Sequence, residues 1–125
     1  MRKTIVVLVL SLVAWPGISA KRVPAPKVAP VTQAGVTYSA DPDGRTGYVV
    51  ASDAKTGGEL WKVKIYHVHI NPFIEEDVQW IYITGLKLSG NALLIRNEAG
   101  RCYRLDLAKK SVRKDTCTEY LTIKP

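Results

Sequence analysis

At 125 residues, 46% hydrophobic and 23% charged, the chain has material for one small folded domain. Its net charge of +7 falls to +5 once a leading segment with Arg2 and Lys3 is removed. The remaining cations, among them Lys21, Arg22, Lys62, Lys64, Lys109, Lys110, Arg113 and Lys114, are spread along the chain with no aromatic-interleaved basic face, so nucleic acid is not an expected partner.

Residues 1–20 open with Arg2 and Lys3, continue through an apolar run from Ile5 to Val13 broken only by Ser11, turn at Pro16-Gly17 and end on Ala20. This is the pattern of a secretory signal peptide cleaved before Lys21, and the apolar run is shorter than the ~20 residues a membrane span needs. The expected localisation is secreted or periplasmic, with no membrane span after cleavage. Residues 21–35 carry Pro24, Pro26 and Pro30, which block helix continuation and read as a Pro-rich flexible leader. A single all-β domain is expected over 36–125.

Asp41-Pro42-Asp43-Gly44 is a turn rather than a calcium loop, because Arg45, Thr46 and Ser52 stand where further oxygen ligands are needed. Residues 47–66 then form two β-rich runs around Asp53-Ala54-Lys55-Thr56-Gly57-Gly58. Asp53 can accept backbone N–H bonds in the turn, Gly57 or Gly58 supplies a positive φ, and Trp61 restarts the strand as an apolar anchor. Along this second strand the apolar face changes near Tyr66, which predicts a bulge or a strand end there.

His67 and His69 fall on one strand face, with Glu75, Glu76 and Asp77 close in sequence. They are weak metal candidates, since two imidazoles on a strand are usually just polar surface. Asn71-Pro72 followed by the three acids predicts one short helical turn near 72–77, with the carboxylates at its positive end. Residues 78–88 are the most apolar of the mature chain. Both faces are apolar over the first half, so a strand covered on two sides is expected, with Trp80 and Tyr82 as a candidate partner or self-association surface.

Turns at Ser89-Gly90-Asn91 and Asn97-Glu98-Ala99-Gly100 continue the sheet as a meander. In the closing hairpin a four-residue loop over 108–111 would oppose Asp106 to Arg113, Arg104 to Asp115 and Cys102 to Cys117, while Tyr103 and Leu105 point inward. Opposed strand residues lie ~4.5–5.5 Å apart at Cα, within disulfide reach, and an exported chain with two cysteines is expected to join them.

The Asp53, Thr56, Gly57 and Trp61 spacing resembles the repeat of quinoprotein (PQQ)-type β-propellers, as in small exported bacterial proteins. A degenerate echo follows over 93–113, where Tyr103-Arg104-Leu105-Asp106-Leu107 looks like a blade strand entering its turn, without counterparts of Gly57 and Trp61. The resemblance implies an all-β fold: small antiparallel sheets of about six or seven strands in two blade-like β-meander units. A quinoprotein enzyme needs several blades of about 40 residues around its cofactor, so the likeness implies architecture and no cofactor.

No nucleophile elbow and no Gly-rich phosphate loop is present. The function these features predict is a non-enzymatic binding or interaction module for a protein or envelope polymer, with a homo-oligomer also open. The alternative is a small secreted inhibitor of a protease or other hydrolase, plugging an active site with the loop 108–111.

Overall fold

A computed structural model describes residues 24–124; the expected signal peptide lies outside the described residues. The chain forms two antiparallel four-stranded sheets, each a meander in sequence order. The first contains β1 (Val31–Gln33), β2 (Val36–Ala40), β3 (Thr46–Asp53) and β4 (Glu59–His67). The second contains β5 (Ile83–Ser89), β6 (Ala92–Asn97), β7 (Cys102–Asp106) and β8 (Ser111–Asp115), followed by a short helix, α1 (Thr118–Thr122). This is the all-β, two-unit architecture expected from the sequence.

The eighth strand is β1, within the segment expected as leader. Val31 and Thr32 are β-branched, and a tight turn at Ala34 (φ 52°) and Gly35 (φ 77°) folds them back onto β2. Three prolines had masked that signal, and none of them lies inside the paired residues.

The β3–β4 hairpin is built as its turn residues dictate. Asp53 Oδ1 accepts the N–H groups of Lys55 at 2.8 Å and Thr56 at 3.1 Å, and Gly57, at φ 76°, donates to the Asp53 carbonyl at 2.8 Å. The register shifts between Gly47 and Tyr48, leaving Ile65 as the extra residue of β4. That is the bulge predicted near Tyr66, and it turns Ile65 into the core at 7% exposure. A second shift leaves Leu60 over, and that residue is 54% exposed.

The core is the seam between the sheets. Tyr38, Val49, Ala51 and Ile65 of the first meet Leu93, Ile95, Tyr103 and Leu105 of the second. Val49, Ala51, Leu93, Ile95 and Leu105 are fully buried, each large one contributing about 1.5–3 kcal/mol in water exclusion. Across the seam Tyr66 stacks on Tyr103, with ring centres 5.3 Å apart, and Tyr66 Oη donates to the Ile81 carbonyl at 2.6 Å. A methyl group on Gly47 would collide with the Tyr66 ring, so the aromatic wall requires a glycine opposite it.

The closing hairpin differs from its expected register by two residues: Leu105 opposes Val112, Arg104 opposes Arg113 and Cys102 opposes Asp115. A slip of two keeps every side chain on its expected face, and Tyr103 and Leu105 do point inward. Asp106 sets the register, because its carboxylate accepts from Ala108 and Lys109 and its carbonyl from Lys110, closing the turn one step sooner. The expected cross-strand pair of Asp106 with Arg113 is therefore not formed. Arg104 still reaches Asp115 diagonally at 3.3 Å.

Beyond Asp115 the chain leaves the ladder, and Cys117 returns to Cys102 to form a disulfide with a Cα–Cα distance of 5.3 Å. The bond starts α1, which crosses the outer face of the second sheet over β6. Lys87 Nζ donates to the carbonyls of Tyr120 at 2.7 Å and Ile123 at 2.8 Å, satisfying groups at the helix C-terminus. The Tyr120 hydroxyl occupies the space a side chain at Gly85 would need.

Candidate functional site

The expected site residues do not converge. His67 Nδ1 pairs with the Thr46 hydroxyl at 2.9 Å, while His69 is exposed beyond the end of β4. Among the described residues no group of three His, Cys, Asp or Glu side chains is placed to hold a metal. The expected strand over 78–88 begins only at Ile83. Ahead of it, Tyr82 is 7% exposed, and Trp80 is half-buried with its Cβ packed on the Gly44 backbone. Tyr82 therefore belongs to the core and not to the partner surface expected of it, while Trp80 packs on the β2–β3 turn and keeps part of its surface.

The exposed apolar surface lies a few residues upstream, in the connection between the two sheets. Its feet are fixed. Val68 donates to the Arg45 carbonyl at 2.8 Å and Ile81 to the Gly44 carbonyl at 2.9 Å, so both ends of the connection are tied to one turn. The Tyr82 N–H reaches Glu98 Oε1 at 2.9 Å.

Between those feet the loop is cross-braced by two side chains. Asn71 Oδ1 accepts from the Phe73 N–H at 3.0 Å, the local bond that makes Asn a turn former. Gln79, on the single 3₁₀ turn Asp77–Gln79, accepts from the Asn71 N–H at 2.7 Å through Oε1. Its Nε2 donates to the carbonyls of Asn71, Ile74 and Glu75 at 3.0–3.1 Å. Arg45 Nε holds Glu76 from outside at 2.8 Å. The short helical turn predicted near 72–77 thus forms slightly later, and the residues before it are a hydrogen-bonded loop.

This scaffolding projects apolar side chains that the fold leaves wholly or partly in water. Phe73 is 94% exposed, Ile74 52% and Val78 39%, and Glu75, Glu76 and Asp77 run between them. A phenyl ring left in water forgoes about 1.5–3 kcal/mol of burial, and bracing it in place by side-chain hydrogen bonds lowers the ordering cost of later contact. The arrangement presents an apolar anchor beside carboxylates on a braced loop.

Sequence reasoning passed over this loop because the acids dominate the segment. The available signal was Phe73 itself, the one phenylalanine of the chain, set between an Asn-Pro turn former and an acidic run. The loop 108–111, by contrast, is a closed turn with Lys110 Nζ 5.6 Å from the Trp61 ring centre. It offers no projecting apolar anchor, and the inhibitor reading finds no support in it.

Among the described residues no helix is long and apolar enough to cross a membrane. Protein-family models give no match to the sequence, and curated proteins give none. Among solved structures, the chain is similar to BamB from Moraxella catarrhalis, at 19% identity and a TM-score of 0.52 over 74% of this chain. The match spans 28% of that longer chain. At this identity the likeness speaks to fold alone, and it is consistent with the two blade-like four-stranded meanders.

Proposed function

We propose that this chain is a secreted or periplasmic, non-enzymatic protein-interaction module, with the braced loop 71–79 as its contact element. The observation that carries the reading is Phe73, 94% exposed on a loop held by the Gln79 side chain. Buried aromatic anchors dominate protein interfaces, and a rigid one loses little entropy on docking. The flanking carboxylates argue against anionic lipid as the target, because acids beside an inserting ring are repelled by such a surface. The N-terminal sequence and the disulfide both fit an oxidising compartment outside the cytosol.

The test is a photoreactive phenylalanine analogue at position 73, compared with the same analogue at Thr56, in cells producing the full chain. Protein adducts at position 73, abolished by Ser substitution of Ile74 and Val78, are expected. Equal labelling from the two positions, or none from 73, removes the reading.

A further inference from the structure

The acidic, apolar knob has a counterpart on the same molecule. Between the strands at the free edge of each sheet, β1 and β5, runs an apolar groove of about 380 Å³ whose floor and walls include Ala29, Pro30, Val31, Leu86 and Leu88. At its margin stand Lys87 and Lys124. Lys87 donates to the C-terminal carbonyls of α1 and lies over the Tyr120 ring, and Lys124 is exposed. The groove is therefore apolar within and cationic at the rim, while the loop is apolar at its tip and acidic at its flanks. Glu76 is already matched by Arg45, which leaves Glu75, exposed, and Asp77, half-buried, as the other carboxylates of the loop.

We propose that the loop 71–79 of one molecule docks into the β1–β5 groove of a second copy, placing Phe73 between the strand edges and Glu75 and Asp77 against Lys124 and Lys87. This rests on the interaction reading above and names its partner. Within one molecule the two lie apart: the loop is anchored just before Ile83, whereas the groove is lined by Leu86 to Leu88, about 10–16 Å further along β5 at ~3.3 Å per residue. Knob and groove are different surfaces, so the contact is head-to-tail and propagates from one copy to the next. Opposite charges at the rim fix orientation and speed encounter more than they add affinity. Among the described residues no further strand pairs with β1 or β5 on that side, and such an edge is the kind of surface that invites an added chain unless it is covered.

Head-to-tail pairing makes a demanding prediction about mixtures. Phe73→Ser destroys the knob and keeps the groove, whereas Ala29→Trp fills the groove and keeps the knob. Both positions are exposed, and circular dichroism with a melting curve verifies that each variant folds. Analytical ultracentrifugation of the processed chain should show concentration-dependent association. Each variant alone should remain monomeric at concentrations where the parent is at least half associated, and an equimolar mixture should give dimers and nothing larger. Lys124→Glu should weaken association at least five-fold, with recovery when Glu75→Lys is added. A parent chain that stays monomeric, a Phe73→Ser chain that still associates, or a mixture that does not pair overturns the proposal. In the first case, Phe73-dependent cross-links to other proteins would still leave the interaction reading intact, so the two ideas fail separately.

Discussion

Lys110 holds at the β7–β8 turn the left-handed backbone that Gly57 holds at the β3–β4 turn, with φ of 56° against 76°. The parallel extends to the carboxylates, since Asp106 and Asp53 each accept the N–H groups of the second and third residues that follow. A side chain in this conformation costs about 1 kcal/mol, which glycine avoids at some expense in unfolded-chain entropy. The Lys110→Gly variant should therefore gain about 0.5 kcal/mol after loss of the Trp61 contact, or roughly 2–4 °C in melting temperature. Gly57→Ala should lose about 1 kcal/mol. Thermal denaturation of both variants measures the asymmetry.

The disulfide should be structural. Cys102 and Cys117 are 15 residues apart, and closing such a loop contributes about 3 kcal/mol in the chain-entropy model. Replacing both by Ser should lower the melting temperature by roughly 10 °C or more and raise amide exchange in α1 first, because the bond is what starts that helix. A double variant that melts with the parent would show the bond to be dispensable.

Removing the brace should separate order from stability in the loop. Gln79→Ala deletes four hydrogen bonds to the backbone of residues 71–75 while leaving the sheet seam untouched. The Asn71 amide should exchange at least ten-fold faster, with global stability changed by less than about 1.5 kcal/mol. Association should weaken in the direction expected for Phe73→Ser, since the ring would then have to be ordered on contact.

Alkaline stability should turn on Tyr66. Burial pushes its hydroxyl well above the usual tyrosine range, helped by the neighbouring Tyr103 and by the charge of Glu98, while a hydrogen bond with Asn97 opposes the shift. Below about pH 10 the ring is neutral in folded and unfolded chains alike, so its contribution is fully present. Above that the unfolded chain releases the proton and the folded chain does not, and stability falls as pH rises. Urea denaturation between pH 8 and 12 should show a decline that is shallower in Tyr66→Phe, although that variant starts weaker by about 1 kcal/mol for want of its bond to Ile81.

Much of the architecture was legible wherever local chemistry and global fold agree. Asp53, Gly57 and the alternation on either side specify a hairpin by themselves, and the face change near Tyr66 marked the Ile65 bulge. The β7–β8 register was not legible, because alternation is blind to a slip of two and the deciding residue is a lysine in a conformation lysine rarely takes. Cys102 and Cys117 are joined as the sequence suggested, yet through a chain end that bends back, not through opposed strand positions. Helix α1 was missed because Thr118–Thr122 has little helical tendency of its own and is held by Lys87, by the space at Gly85 and by Arg104 on Glu119. Tyr82 misled for a related reason: apolarity on both faces of a short run reports burial, but not whether the cover comes from the same molecule.

Because each sheet is an uninterrupted stretch of sequence, a chain that becomes available from its N-terminal end can pair all four strands of the first sheet before Ile83 emerges. For that interval Tyr38, Val49, Ala51 and Ile65 have hydrogen-bonded strands beneath them and no facing layer above. That apolar face stays uncovered until Leu93, Ile95, Tyr103 and Leu105 arrive, so pairing of the second meander is what closes the interval.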